Sequence, residues 1–509
     1  MTLIERLAKR LGWVRTGKRA AAPTGNFQMS AVNRLTQSWT TTSASADSQA
    51  RQGLSISRAR SRQLRDDNDY AAKFISMVKT NVLGEAGIHF KSGAKEPDLV
   101  KGNKMFPGPP DVFARKTITE NWWKWGTKKY CTVTGKMTWC DVQRVALEGV
   151  ATDGEHIIRK IRTTKDENPF GFTLKLYEGS RLDDQMNELS SVDGNEIRMG
   201  VEINKDGRPL YYHLLNQDPA ENYFFRTGKF ERERVPASDI IHLGVIRRAD
   251  QTRYNPWMIT SGYRMNMVGK YEEAEVTAAR VAASKMGFIT NTGNTEYQGE
   301  DDGEGNKIMD AEPGAFEQLQ VGQDLKIVDW QHPSTAYQAF VKTALRGVAA
   351  GLNVSYNSLA NDMESVNFAS GKLGLMEERE VWKALQAWFI ESLCEEVFEA
   401  WLTQCLVGGA INLPFSKFEK FNSPVFRGRR WPHVNPAQDV EADIRRLNSG
   451  QTSISRLLAE QNIERDELLD EIQSDNEALE SRDITLPELI SKLEVAEATA
   501  ASQDFGPTE

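Results

Sequence analysis

A chain of 509 residues, 39% hydrophobic and 26% charged with a formal net charge of −8, is long enough for several packed lobes and too apolar for a disordered polymer. Its apolar runs fall short of the roughly 18 residues of a membrane span, and Met1 to Arg19 lacks a secretory leader's apolar core and cleavage site, so the chain is expected to stay in the cytoplasm where it is made. The four cysteines (Cys131, Cys140, Cys394, Cys405) contain no C-x-x-C pair and read as buried thiols rather than disulfide or metal ligands.

Charge is uneven: residues 1 to 65 carry twelve Lys/Arg against two Asp/Glu, and residues 436 to 509 carry eighteen acids against six bases. Residues 1–50 read as a flexible, basic, solvated arm outside the fold, with a dedicated nucleic-acid contact as the competing reading. The first expected helix covers about 66–84 (Tyr70, Phe74, Met77, Val78) and stops at Gly84. A second covers 111–127 with Trp122, Trp123 and Trp125, and a third runs from Gln143 to Gly154. Alternation and β-branched content predict strands at His156–Arg162, Thr173–Tyr177, Arg198–Ile203 and Pro209–Leu215, with Lys205-Asp206-Gly207-Arg208 as the hairpin turn before the last. Residues 51–255 are therefore expected to form an α/β lobe around an antiparallel sheet.

After Asn255-Pro256-Trp257 the pattern predicts a helix of nearly thirty residues, ending near Met286, with charges at Arg264, Lys270, Glu272, Glu273, Glu275, Arg280 and Lys285. Residues 287–332 change character: a strand-like Phe288-Ile289-Thr290, an acidic Gly-rich tip at Glu300 to Gly305, and a strand at Leu325–Trp330 predict a small β-rich insert. The next helix opens with a capping box at Thr335 and Gln338 and keeps Tyr337, Val341, Ala344, Leu345 and Val348 on one stripe up to Gly351. Residues 352–372 are polar and Asn/Ser-rich, and a loop of that length between two helices predicts a mobile, functional segment. A long helix follows, with Trp382, Leu385, Phe389, Leu393, Val397 and Trp401 recurring until Gly408 and Gly409; its tryptophans read as core. Short helices are expected at Asp439–Asn448, Ile454–Gln461 and Glu464–Ser474, and residues 481–509 read as a flexible acidic tail.

No constellation for catalysis emerges. Ser370-Gly371-Lys372-Leu373 lacks the first glycine of a phosphate loop, replaced by Val366, and the final Ser/Thr, replaced by Leu373. Gly303-Glu304-Gly305 follows no strand and lacks a third glycine, and Gly303 and Gly305 stand where a calcium loop around Asp301 and Asp302 needs oxygen ligands. The six histidines are scattered singly. No catalytic residue, metal or cofactor is expected.

The run Gly351 to Arg379, with Tyr356 and Leu359 after one helix and a Ser/Asn strip before the next, resembles the corresponding stretch of the lambda-type phage portal proteins. Arg65-Asp66-Asp67-Asn68-Asp69-Tyr70-Ala71, Gly84-Glu85-Ala86-Gly87-Ile88, the Asn435 to Asp443 run and Leu447-Asn448-Ser449-Gly450 fall in the same family order, so the resemblance spans roughly residues 50 to 475. It implies an α+β portal fold: basic arm 1–50, mixed α/β wing 51–255, stem helix 256–286, β-rich clip 287–332, second stem helix 333–351, tunnel loop 352–372, wing helix and return 373–434, helical crown 435–480 and tail 481–509. It further implies a non-enzymatic virion component, assembled in the host cytoplasm as a ring of about twelve copies at one capsid vertex. The implied partners are double-stranded DNA, the terminase large subunit, the major capsid protein and a head-tail connector or adaptor, with no membrane. A nuclease or recombinase-like enzyme is the alternative, and it would need a carboxylate cluster for which no persuasive spacing exists.

A tunnel for sliding DNA should be polar and sparsely basic, because each phosphate-binding cation adds steep, salt-dependent affinity. Asn357, Ser358, Asn361, Asn367 and Ser370, with Lys372 at the edge, are the candidate channel residues on the strip. Lys342 and Arg346, one turn apart on the preceding helix, are candidate backbone contacts. The competing reading for these two cations is a solvated helix face or an ion pair with Glu272, Glu273 or Glu275 of a neighbouring copy.

Overall fold

The computed structural model describes residues 34, 38, 40, 42–97, 99–101, 104–106, 108–191, 193–219, 231–283, 287–291, 300–301, 307–308, 323–327, 337–364, 367–431, 436–460 and 465–481. Two helices open it, α1 (Ala46–Asp67) and α2 (Asp69–Val82). Asn68 separates them: its extended backbone breaks the helix and its side chain caps α2 by accepting from Ala71 N at 3.1 Å. The expected helix over 66–84 is thus α2, whereas α1 lies where the sequence predicted only the end of an arm and the start of the lobe. Strand β1 (His89–Ser92), α3 (Val112–Trp125) and α4 (Trp139–Asp153) follow. A Thr138/Asp141 capping box starts α4 ahead of the expected Gln143, and Gly154 ends it at φ +91.

The lobe holds two antiparallel sheets. In the first, β2 (Glu155–Arg162) lies between β3 (Phe172–Glu178) and β8 (Ile240–Gly244). In the second, β4 (Glu196–Arg198), β5 (Val201–Ile203), β6 (Pro209–Leu215) and β7 (Arg232–Pro236) pair in sequence order. The expected strand over Arg198–Ile203 is corrected to a hairpin. Met199 (φ 47) and Gly200 (φ 82) both take left-handed backbone, the signature of a two-residue turn whose twist suits the flanking strands. The Lys205–Arg208 turn is present as expected, with Gly207 at φ +82 and Asn204 Oδ1 accepting from Asp206 N and Arg208 N at 2.9 and 2.8 Å.

Side chains alternate along β2, so its two faces serve different cores. Ile158 belongs to the main core, while Ile157 joins Tyr177, Leu182, Val201, Ile203, Tyr212 and Val235 in a second core. His156 lies on the Ile158 face against Gly149 of α4, its Nε2 buried without a hydrogen-bond partner. Burial lowers its pKa to about 4. The unfolded chain therefore takes up a proton near pH 6.5 that the fold refuses until about 4, so this site's contribution to stability is complete above pH 6.5 and fades as the pH falls through that window. The loss amounts to about 3 kcal/mol at the acid end. His156→Gln should flatten the stability profile between pH 6.5 and 4 in denaturant titrations; an unchanged slope would remove His156 from the account.

The main core is an aromatic cluster under a long helix. Trp122, Trp125, Trp139, Phe398 and Trp401 have zero to 1% exposure, and Trp122 meets Trp401 edge-on with centroids 5.2 Å apart. The helix runs as α8 (Phe368–Phe389), a π-helical turn (Ile390–Glu395) and α9 (Glu396–Val407), stopping at Gly408 and left-handed Gly409. The wide turn buries Leu393 and Cys394. Strand β9 (Pro424–Arg427) then returns to pair with β1. Cys131, Cys394 and Cys405 are free, buried thiols, and burial raises the pKa of each.

Two further helices, α5 (Gly262–Ala283) and α6 (Tyr337–Leu352), pack on each other beside the lobe. The first begins at Gly262 because Trp257–Ile259 forms a separate 3-10 turn, and its expected end near Met286 lies outside the described residues. Between them Gly287–Asn291 pairs antiparallel with Gln323–Ile327, and Glu300–Asp301 with Lys307–Ile308. The capping box at Thr335 lies outside the described residues. Short helices α10 (Pro436–Asn448), α11 (Ile454–Glu460) and α12 (Arg465–Glu480) complete the described chain.

Candidate functional site

The α5–α6 pair is a close approach. Ser261 Oγ donates to Val348 O at 3.0 Å, and a Cβ on Gly351 would collide with that hydroxyl. A Cβ on Gly347 would meet the Arg264 guanidinium. Further out, Tyr271 stacks on Tyr337 at 5.9 Å and meets Phe340 edge-on at 4.8 Å. Glu272 accepts from Tyr70 Oη and Glu275 from Tyr271 Oη, each at 2.9 Å. Both carboxylates thus have partners within the chain.

The polar strip after α6 is not one uninterrupted loop. Asn353 turns left-handed at φ 58, Val354 is buried, and Ser355 caps a short helix α7 (Tyr356–Ala360) by accepting from Ser358 N at 3.2 Å. Leu359 is buried at 2% exposure, which anchors α7 to the core, and Asn361 ends it at φ 52. Glu378 of α8 accepts from Ser355 N at 3.1 Å and from Trp382 Nε1 at 3.1 Å, tying the start of the strip to the long helix.

Its far end is held by charge. Asp362 accepts from Tyr356 Oη and pairs with Lys342 Nζ, both at 2.8 Å, and Lys342 also lies 3.9 Å from Glu364. The Lys342 and Tyr356 hydrogen bonds, with one from Glu364 N, lower the Asp362 pKa to about 2. Arg346 sits over the Tyr356 ring, 5.6 Å from its centroid. Asp362→Asn should loosen this end, raising amide exchange over 353–364 on the order of two- to fivefold at low salt and less at high salt. Equal exchange in both proteins would show that α7 packing alone holds the strip.

The eight sequence-predicted channel residues therefore divide. Lys342, Arg346, Asn357, Ser358 and Asn361 share the α6–α7 surface, with Asn361 and Arg346 exposed and Asn357 half-buried. Asn367 is exposed just ahead of α8, where its carbonyl accepts from Gly371 N at 2.9 Å. Ser370 and Lys372 are corrected from loop to helix: both lie in the first turns of α8. Lys372 Nζ is drawn away to Asp439 of α10 at 2.9 Å. Lys342 has its partner in Asp362 of the same chain, and Glu272 and Glu275 meet tyrosine hydroxyls. Sequence reasoning missed Tyr356 and Glu378 as the strip's anchors. Ser355 three residues before Ser358, ahead of a buried leucine, was the legible sign of α7.

Among the described residues no group of three or more His, Cys, Asp or Glu side chains could hold a metal ion, and no helix is long and apolar enough to cross a membrane. What the site offers is a polar, charge-balanced surface on rigid helices.

The family model described as "Phage portal protein, lambda family" matches residues 32–386. A "Probable portal protein" of Halomonas phage phiHAP-1 is 29% identical over 492 residues, covering 93% of this chain and 92% of that protein. "Portal protein B" of Escherichia phage lambda is 21% identical over 404 residues, 74% of each chain. Among solved structures, a chain from the "Neck of empty GTA particle computed with C6 symmetry" is similar at a TM-score of 0.43 and 11% identity, covering 81% of this chain and 94% of that one.

Proposed function

The chain belongs to the lambda family of phage portal proteins, a structural and non-enzymatic family, and on that premise we propose that about twelve copies close into a ring at one capsid vertex. The ring nucleates head assembly with the major capsid protein and docks the terminase large subunit through the 287–332 insert. It conducts double-stranded DNA during packaging and ejection, and carries the head-tail connector. Residues 51–255 act as the wing, α5 and α6 as stem helices, the 352–372 strip as the tunnel segment and 435–480 as the crown.

The observation that supports this reading is the set of exposed apolar side chains on two faces of the stem-like pair. Tyr263, Met267 and Val276 of α5 and Phe340 of α6 are 49–79% exposed. Large apolar side chains exposed on both faces of one helix suit a chain with a neighbour on each side. The α6–α7 surface suits a sliding duplex because it is sparsely basic: Lys342 is already neutralised by Asp362, which leaves Arg346, over the Tyr356 ring, as a single cation for a passing phosphate. Twelve copies at −8 each give a ring charge on the order of −100, which repels DNA from the bulk and limits sticking.

Negative-stain electron microscopy of the purified chain, with a mass measurement on the same sample, tests the reading. Rings with a central hole are expected; a uniform monomer that cleaves DNA with magnesium would replace the portal reading with the enzyme alternative.

A further inference from the structure

Of the cations picked from sequence, Lys342 and Lys372 are paired with carboxylates and Arg346 lies over the Tyr356 ring; elsewhere two guanidiniums are held side by side with no carboxylate partner among the described residues. Residues 428–431 lie along α8 and over the C-terminal end of α2. Gln386 Nε2 donates to Asn81 O, Val82 O and Arg429 O at 3.1, 3.1 and 3.0 Å, fixing the segment at one point. Trp431 Nε1 donates to Asn81 Oδ1 at 3.1 Å, and the Arg379 guanidinium lies 5.8 Å from the Trp431 ring centroid, fixing it at a second. Arg379 and Gln386 are two turns apart on α8, roughly 10 Å at 1.5 Å per residue; the two steps from Arg429 to Trp431 cover about 7 Å of it and the side chains reach the rest.

Arg429 Nη1 donates to Thr80 O at 2.7 Å and reaches Asn81 Oδ1 at 3.5 Å, satisfying carbonyl groups at the end of α2. Among the described residues neither its Nε nor its Nη2 meets an acceptor, and no carboxylate lies within ion-pair distance of Arg379 or Arg429. Asp439 acts on Arg379 only from a distance and is paired with Lys372 at 2.9 Å. Both arginines are half-buried, and Arg430 between Arg429 and Trp431 is exposed. Burial first, and then the Arg429 charge, lower the proton affinity of Arg379. Two like charges held near each other by packing, with solvent-reached nitrogens that meet no protein acceptor among the described residues, favour an anion beside them.

We propose that Arg379 and Arg429, held by Trp431 and Gln386, form a phosphate-binding site for the backbone of double-stranded DNA. The ligand class follows from the donors: a planar guanidinium edge without an acceptor matches two oxygens of one phosphodiester, and two such edges on one rim suit a polyanion better than a single small anion. The proposal rests on the portal reading for the presence of duplex DNA. It differs in locating the phosphate contact away from the 352–372 strip, where Lys342 is already paired with Asp362.

The test uses the full chain in whatever assembly it forms, a 40-base-pair duplex of random sequence as probe, and fluorescence anisotropy across a salt series. Arg379→Gln removes a charge that takes part in no ion pair among the described residues but does lose the Trp431 ring contact, so its melting temperature should change by no more than a few degrees. Its affinity for the duplex should fall at least threefold at low salt, and the slope of log affinity against log salt should shrink by about 0.9 for each phosphate no longer neutralised. Lys383→Gln, which removes a charge paired with Glu380 at 2.6 Å, should change neither. Unchanged affinity and slope in Arg379→Gln, or no binding by the wild type, would overturn the site. So would a weaker assembly with unaltered DNA binding, which would assign the arginines to acidic residues of a neighbouring copy. Absence of rings counts against the proposed function only, because the Arg379 comparison does not depend on ring formation.

Discussion

Glu155→Ala should lower the unfolding midpoint of the α/β lobe by on the order of 10 °C, as much as truncating a buried tryptophan of the core. Glu155 has no exposed side-chain surface, and around it converge Arg58 Nη2 at 2.7 Å, Arg253 Nε at 3.0 Å to both oxygens, His242 Nε2 at 3.1 Å and Tyr254 N at 3.3 Å. Arg253, itself fully buried, also donates to Met199 O at 2.6 Å and Gly179 O at 3.1 Å. One carboxylate therefore joins α1, β2, β8 and the β4–β5 turn. Burial alone would raise its pKa, but the Arg253 charge, the His242 and Arg253 hydrogen bonds and the Arg58 charge outweigh it and hold the pKa well below the usual range.

Removing the carboxylate leaves two guanidiniums buried without a counter-charge, a loss of about 3–5 kcal/mol. Glu155→Gln separates charge from shape: it keeps the volume and should still lose most of that stability. An amide variant as stable as wild type would refute the electrostatic account. The pH dependence has a definite sign. A carboxylate with a depressed pKa contributes fully above its unfolded value near 4.5 and is lost as pH falls below it. That window lies beneath the one set by His156, so acid unfolding should proceed in two separable slopes.

This cluster also marks where reading the sequence stops. The buried positions of α1 are Ala50, Leu54, Arg58 and Ser61. Their spacing is helical, but half of them are polar, so no apolar stripe announces the helix. Arg58 is buried only because Glu155, ninety-seven residues later, meets it. The α2, α4 and α8–α9 helices were legible because their buried faces are apolar at a 3.6-residue period, and the strands of the first sheet because theirs alternate. The Arg198–Ile203 segment misled because Met199 in a left-handed turn looks like any strand methionine; Gly200 was the only warning. The 352–372 strip misled in the opposite direction. Its composition is that of a loop, yet Val354 and Leu359 anchor it, and a lone lysine on the helix before it finds Asp362. Which cation would be neutralised, and which left over, is a property of tertiary placement. Hence Lys342 and Lys372 looked available from sequence, while Arg379 and Arg429 drew no attention.

Met267→Asp and Val276→Asp should each abolish ring formation while leaving the folded chain intact. Met265 and Val268 turn α5 inward and are buried at 0% and 4% exposure. Val276 continues that inward face further along the helix, where it is exposed, whereas Met267 lies about 180° and Tyr263 about 140° away from it at about 100° per residue. The exposed apolar side chains thus occupy two opposite faces of one helix, with α6 packed alongside. A two-fold dimer would cover a single self-complementary patch. A head-to-tail ring needs two different patches, one for each neighbour, and α5 supplies them. An aspartate in the apolar centre of such an interface costs at least about 2 kcal/mol, some thirtyfold in affinity, and a closed ring meets that penalty at every joint. Mass measurement should therefore find monomers or short open oligomers at micromolar concentration, with a melting profile equal to that of wild-type monomer. Because the two substitutions sit on opposite faces, an equimolar mixture of the variants provides the sharper comparison. Each retains one intact face, so mixed samples should recover dimers joined through the single undamaged pair of surfaces but no closed rings. Recovery of complete rings in either variant alone would mean that α5 is not the surface along which the subunits close.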